Sequence, residues 1–373
     1  MADTKGRSKV FHTTEFGKIL LGDSLIALRK MKAGSANLIM TSPPFGLVWK
    51  KDYGNVGAGE YVEWFKEFAV EFRRVLAHDG SLVIDIGGAW NKGLPTRNLY
   101  HFKLVIMLCE ELGLHLAEEF YWWNPAKPPT PAEWVNIRRI RAKDAVNCVW
   151  WLSKSPLPKA SNRRVLQPYS DAMRDLLKHG YRAMKRPSGH DISTKFSIDN
   201  GAAIPPNLLA IPNTDSNGYY LTYCKETGLK PNPARYPAGL PEFFIRMLTD
   251  EGDTVVDPFA GSCVTGEVCE RLRRRWTCVE LDEEYLLGAM ARFGPNAKLD
   301  SKTKSGPKNL ADDSNYYKIP RPGLLWGART EDRLPADGGK KRPTKPKQPN
   351  RAAGPRPSAR PERPNLVPAP RKK

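Results

Sequence analysis

No Cys-x-x-Cys pair occurs in this chain. Its six cysteines, Cys109, Cys148, Cys224, Cys263, Cys269 and Cys278, are scattered through 373 residues. That scatter argues against a disulfide framework and predicts reduced, mostly buried thiols. The six histidines show no metal-ligand spacing, so no metal site is expected. Long apolar runs are also missing. Stretches such as Phe102–Leu108 are too short to span a bilayer, and no charged-then-apolar leader opens the chain. These absences predict a soluble, cytoplasmic protein with no membrane partner.

Acidic residues are in deficit. Forty Asp and Glu face 59 Lys and Arg, for a net charge of +19 and a pI near 9.6, a balance that suits a polyanionic partner. The excess is uneven, because residues 336–373 hold 12 Lys or Arg against 2 acids. That proline-rich tail has too little apolar surface to offset the entropy of ordering, so disorder is expected. It reads equally well as a solubilising extension and as an electrostatic arm for a polyanion.

What the chain does carry is two strand-turn motifs. Ala36-Asn37-Leu38-Ile39-Met40 reads as a buried strand that opens into Thr41-Ser42-Pro43-Pro44-Phe45, where consecutive prolines stiffen the turn. Ser42 Oγ and the Pro43 carbonyl are candidate acceptors for an exocyclic amine, Pro44 fixes the turn, and Phe45 could stack on a planar ring. Taken alone, the same residues also fit a rigid loop with a hydrophobic plug.

The second motif begins with a short strand, 253–257. It continues through Pro258-Phe259-Ala260-Gly261-Ser262-Cys263-Val264-Thr265-Gly266 into a helical stretch reaching Arg275. Such a turn aims backbone N–H groups and a helix start at a ligand. The strand Trp276–Leu281 follows, and Glu280 lies about 20 residues beyond the glycine turn, where an acid accepts hydrogen bonds from a ribose diol.

Together these motifs resemble those of the S-adenosylmethionine-dependent DNA amino-methyltransferases, in the catalytic-first order of their beta group. The likeness extends to Glu60–Phe65, Glu133–Asn136, Lys143–Asn147, Arg186–Asp191 and Pro241–Thr249, blocks similar to those of PvuII-type cytosine-N4 methyltransferases. It covers roughly residues 15–295 and implies an α/β fold with a Rossmann-like, mostly parallel, seven-stranded sheet and an inserted target-recognition region. It also implies S-adenosylmethionine as cofactor and duplex DNA as partner. The implied reaction methylates the N4 amine of a flipped-out cytosine, within a palindrome of the CAGCTG type, beside a cognate restriction endonuclease.

On that resemblance Ser42, Pro43, Pro44 and Phe45 are catalytic, and Asp257, Phe259, Gly261, Ser262, Thr265, Gly266 and Glu280 hold the cofactor. Asp23 would lie near its adenine, although a plain helix cap explains Asp23 equally well. Many family members have glycine where this chain has Cys263, which predicts a turn of different shape after Ser262. No cysteine follows a proline, so the thiol nucleophile of carbon-5 enzymes is not expected. Adenine-N6 methylation and a non-catalytic DNA-binding shell are the alternatives.

Helical spacing of Tyr61, Trp64, Phe65, Phe68, Phe72, Val75 and Leu76 predicts a helix over 60–77. Strands are expected at 81–86, 118–123 and 145–152, and helices at 98–112 and 240–248. Residues 1–152 then form the catalytic half and 233–295 the cofactor half. Residues 153–232, rich in turn formers and basic groups, read as the target-recognition region, and 296–335 as an irregular extension. Arg186, Ser188 and His190 are candidate DNA contacts, against a reading of His190 as a loop histidine and Arg186 as a solvated charge.

Overall fold

Alternate residues of the same strands feed two different cores, and that fixes a sheet covered on both faces. Leu38, Met40 and Val83 belong to one buried cluster, whereas Ile39, Leu82 and Ile84 belong to the other. The structure, a computed structural model, describes residues 8–47, 56–180, 198–213 and 218–294. Arg186, Ser188, His190, the 296–335 extension and the 336–373 tail lie outside the described residues.

The chain runs through β1 (Lys9–Thr13), β2 (Gly17–Leu21), α1 (Ser24–Lys30), β3 (Ala36–Thr41), α2 (Tyr61–Val75), β4 (Leu76–Ile86), β5 (Ala89–Trp90), β6 (Arg97–Asn98), α3 (Tyr100–Glu110), β7 (His115–Trp123) and β8 (Val146–Ser153). There follow α4 (Asp171–His179), β9 (Leu208–Ala210), α5 (Tyr219–Thr227), α6 (Gly239–Leu248), β10 (Thr254–Asp257), α7 (Val264–Arg271), β11 (Arg275–Glu280) and α8 (Glu283–Ala289). The main sheet has the order β1-β2-β11-β10-β3-β4-β8-β7-β9. Strands β2, β11, β10, β3 and β4 are parallel, and β8 is antiparallel to both its neighbours.

The α/β, mostly parallel architecture matches expectation, but the sheet has nine strands rather than seven. The additions are the edges: β1 pairs antiparallel with β2, and β9 pairs parallel with β7. Edge strands bury one side at most, so their apolar signal is weak. The expected 60–77 helix stops at Val75, because Leu76 turns extended (φ −62, ψ 136) and starts β4. Its buried stripe is Tyr61, Phe65, Ala69, Phe72 and Val75, each large side chain contributing about 1.5–3 kcal/mol by leaving water.

Two further differences bear on the site. Helix α7 ends at Arg271, not Arg275, because Arg275 pairs with Thr254 and the connecting turn puts Arg273 at φ 59. Nor is 153–232 wholly separate from the sheet. Its Leu208–Ala210 is strand β9, and its α5 packs on the cofactor half, where the guanidinium of Arg292 lies 4.8 Å from the ring centre of Tyr220. All six cysteines are free thiols, four of them buried and Cys109 and Cys148 half-buried. Among the described residues no helix is long and apolar enough to cross a membrane.

Gly17 opens β2 against Trp276, whose ring atoms would lie 2.2 Å from an added Cβ. Gly17→Ala is therefore expected to destabilise the protein by about 1–3 kcal/mol through overpacking. Urea unfolding followed by tryptophan fluorescence checks this, and an unchanged midpoint would contradict it.

Candidate active site

Strands β3 and β10 are parallel neighbours, with Leu38 opposite Val255 and Ile39 opposite Val256. Two motifs 216 positions apart therefore end side by side, and Thr41 Oγ1 donates to Asp257 Oδ1 at 2.8 Å across the join. Strand β11 lies on the far side of β10 and β4 on the far side of β3. Glu280, Asp257, Ser42 and Asp85 thus succeed one another along the carboxyl edge of the parallel strands, where such sheets form their ligand crevice.

Asp257 is the buried knot of this edge. Oδ1 accepts from Thr41 Oγ1 and from the Phe259 N–H at 3.1 Å, while Oδ2 accepts from Thr265 Oγ1 at 2.6 Å and Tyr236 Oη at 3.1 Å. Burial raises its carboxyl above the ordinary range and these donors oppose the rise. Two oxygens offer about four acceptor sites, so Asp257 is saturated within the protein. Thr265 is likewise occupied here, and Tyr236 bonds to both Thr265 and Asp257.

The turn after β10 takes its shape from three positions. Gly261 has φ 52, and a Cβ there would lie 1.9 Å from Asn232 Nδ2, so only glycine fits. Ser262 is buried and receives Arg292, whose Nε donates to the Ser262 carbonyl at 2.7 Å and whose NH1 pairs with Glu267. Cys263 adopts the left-handed conformation, φ 56 and ψ 35. The shape expected to change is thus one that glycine also adopts; the thiol residue bears strain of about 1–3 kcal/mol to keep it. Gly266 cannot gain a Cβ either, since Trp276 and Cys278 lie about 3.0 Å away. Phe259 packs its ring against Trp64 and Phe68 of α2 at 6.0 and 5.1 Å.

Glu280 closes the turn. Its Oε2 accepts the Gly261 N–H at 2.8 Å, and Oε1 accepts the N–H groups of Leu281 and Asp282 at 2.9 Å each. Burial raises its carboxyl and these N–H donors oppose the rise. With three N–H donors on it, the half-buried carboxylate retains an acceptor site on Oε2. Asp23 caps α1, accepting from Leu25 and Ile26 N–H at 2.8 and 3.1 Å. Its cap role is what the structure shows, while the adjacent Gly22 N–H bonds the Glu280 carbonyl at 2.9 Å and Ser24 Oγ donates to the Pro258 carbonyl. Asp23 therefore stands beside the turn.

At the turn after β3, Ser42 Oγ donates to Asp85 Oδ2 at 3.0 Å and Asn147 Nδ2 donates to Asp85 Oδ1 at 3.0 Å. The serine proton is committed, so the hydroxyl is left with lone pairs to offer an amine. Burial pushes Asp85 up to about 6, while Asn147, Ser42 and the more distant Lys127 ammonium hold it down. Pro43 is buried and Pro44 half-buried. The Phe45 ring lies against Gly87, where an added Cβ would stand 2.5 Å from it. Asp85 and Asn147 were not singled out from the sequence. The readable signal for Asp85 was an acid inside the apolar run Ser81-Leu82-Val83-Ile84-Asp85-Ile86. Asn147 becomes its partner only through the β4–β8 pairing. Among the described residues no cluster of His, Cys, Asp or Glu could hold a metal.

A family model described as DNA methylase, N6_N4_Mtase, matches residues 36–291. The chain belongs to this DNA methylase family. It is 52% identical over 291 residues to the type II methyltransferase M.PvuII of Proteus hauseri, covering 77% of this chain and 87% of that one. Among solved structures, PvuII DNA methyltransferase (cytosine-N4-specific) is similar with a TM-score of 0.64 and 46% identity, over 77% of this chain and 90% of that one. A more distant relative, the DNA adenine methyltransferase YhdJ of Escherichia coli strain K12, is 25% identical over 75% of this chain and 85% of its own. Membership agrees with the resemblance drawn from the motifs.

For this methylase the elevated Asp85 carboxyl predicts an acid limb. Methyl transfer at saturating substrates should fall about tenfold per pH unit below pH 6 as Asp85 is protonated. Asp85→Asn should be slow and should lack that limb; a limb that persists in the variant would refute the assignment. The sign for stability is opposite. A folded value above the ordinary one means that the Asp85 contribution weakens as pH rises from about 4 to 6 and strengthens on acidification.

Proposed function

We propose that the protein transfers a methyl group from S-adenosylmethionine to the exocyclic N4 amine of a cytosine displaced from duplex DNA. The observation that carries this reading is the Ser42–Asp85–Asn147 hydrogen-bonded set on the same strand edge as Glu280. Serine before Pro-Pro, together with the 52% identity to the Proteus hauseri relative, supports cytosine over adenine.

The cofactor turn suits its ligand chemically. Glu280 offers an acceptor on Oε2 to a ribose hydroxyl, and the helix start after Cys263 leaves backbone N–H groups for a carboxylate or polar tail. Asp257, Thr265, Gly261 and Gly266 hold the turn in shape, Ser262 and Phe259 line its flank, and Asp23 lies on the adenine side. When bound, S-adenosylmethionine supplies a methyl group on a positively charged sulfur that departs with the bonding electrons.

Ser42 Oγ and the Pro43 carbonyl hold the amine hydrogens and draw its lone pair out of conjugation. Pro44 keeps the corner rigid and Phe45 stacks on the base. Asp85, reached through the Ser42 hydroxyl, accepts the proton the amine must lose after attack. Positioning on this scale lowers a barrier by about 7–11 kcal/mol.

The same reading takes residues 153–232 as the target-recognition region, with Arg186, Ser188 and His190 toward the DNA. It makes the enzyme a cytoplasmic, site-specific methyltransferase that protects a CAGCTG-type palindrome beside a restriction endonuclease.

Ser42→Ala is expected to lower kcat on the order of 100-fold with little change in cofactor Kd. Glu280→Ala should raise cofactor Kd about 10- to 100-fold and spare kcat at saturation. Calorimetry and tritiated methyl transfer separate the two effects, and equal losses in both parameters would contradict the roles. Nucleoside mass spectrometry of treated DNA should show N4-methylcytosine, whereas N6-methyladenine or an unmodified product would overturn the reading.

A further inference from the structure

Between β7 and β8 the chain makes a 22-residue excursion, residues 124–145, that none of the roles above uses. It leaves the sheet at the catalytic edge, because β8 runs antiparallel to β4 with Val149 opposite Asp85 and Cys148 opposite Ile86. Its base is closed by the Asn124 N–H on the Ala145 carbonyl at 2.8 Å.

The excursion is tied down internally. Pro125, Pro128, Pro129 and Pro131 stiffen its first half. The Asp144 N–H reaches the Thr130 carbonyl at 2.9 Å, Asn136 Nδ2 the Pro129 carbonyl at 2.8 Å, and Lys143 Nζ the Lys127 carbonyl at 2.9 Å. It is also clipped to the β5–β6 hairpin. Arg97 pairs with Asp144, and Arg141 lies 4.0 Å over the Trp90 ring while donating to the Pro95 carbonyl.

Against this rigidity, its tip presents apolar side chains to water. Ile137, in the π-helical turn Glu133–Ile137, is 70% exposed, and Ile140 is 59% exposed. Arg139 between them is exposed, sits at φ 53 and makes no ion pair among the described residues. The excursion as a whole carries five Lys or Arg against two acids. A stiff loop cannot fold its isoleucines inward, so they stay available for a partner. The cationic surround selects a polyanion, and apolar wedges flanked by arginine and lysine are how proteins pry open a base step.

We propose that this tip is the wedge that opens the duplex: Ile137 and Ile140 enter the stack beside the target nucleotide and fill the space a displaced base leaves, while Arg139 neutralises the adjoining phosphate. The inference rests on the DNA-methylating function proposed above. It adds an interaction surface outside 153–232, joined to the catalytic corner through Asn147 and Asp85 and through Arg97 and Asp144.

The test uses the full chain and two duplexes bearing the site that the unchanged enzyme methylates. In one the target base is paired, and in the other it faces an abasic position, so that displacing it costs less. With paired DNA, Ile137→Ala/Ile140→Ala should lower kcat at least about tenfold, and Arg139→Ala should raise KM for DNA. With abasic-partner DNA the isoleucine double variant should recover to within about threefold of the unchanged enzyme. Ile137→Leu/Ile140→Leu should behave like the unchanged enzyme throughout, and cofactor Kd should not move. Equal losses on both duplexes would mean a merely structural role and overturn the wedge. So would no loss on either, which assigns the isoleucines to a protein partner. Absence of methylation by the unchanged enzyme on any DNA overturns the preceding function and this inference with it, an outcome distinct from the other two.

Discussion

A single buried carboxylate holds the site together. Asp257 receives Thr41 from β3, Thr265 from α7, Tyr236 from the segment before α6, and its own turn through Phe259. A carboxylate taken out of water is tolerated only when donors replace the lost hydration. Here those donors come from three separate stretches of chain, around Thr41, around Tyr236 and over Phe259–Thr265. The requirement to satisfy Asp257 is therefore also a requirement that the stretches meet, and it ties the end of β3 before Ser42 to the turn after β10, which Glu280 closes from β11.

The second buried acid works differently. Asp85 has two donors, Ser42 and Asn147, and is left with a carboxyl raised to about 6. Fewer donors mean a carboxylate that is less well satisfied and more willing to take a proton. One acid is saturated and structural, and the other is under-satisfied and basic, two strands away along the same edge. Backbone strain is concentrated beside them as well, with Cys263 held left-handed at φ 56 where the turn meets α7.

Much of this was legible in the sequence because it is local. The strand, stiff turn and helix grammar around Ser42-Pro43-Pro44-Phe45 and around Gly261, and the aromatic stripe of α2, follow from residue order alone. The edge strands β1 and β9 were not legible, since three or five half-exposed residues carry too little apolar pattern. The division of 153–232 was also hidden, because β9 joins the sheet and Tyr220 packs under Arg292 only in three dimensions. Asp85 was visible as an acid in an apolar strand, but its value to Ser42 depends on the neighbouring order of β3 and β4.

Residue order alone shows which groups are on offer: a serine and two prolines after one strand, a glycine turn with a spaced acid after another, and an excess of positive charge. Each is set by side-chain identity and nearest-neighbour sterics. Which of those groups act together is set by packing. Hydrogen bonds and burial depend on distances between strands far apart in the chain, and so the serine's partner, the saturation of Asp257 and the exposed isoleucines beside the catalytic edge come from packing.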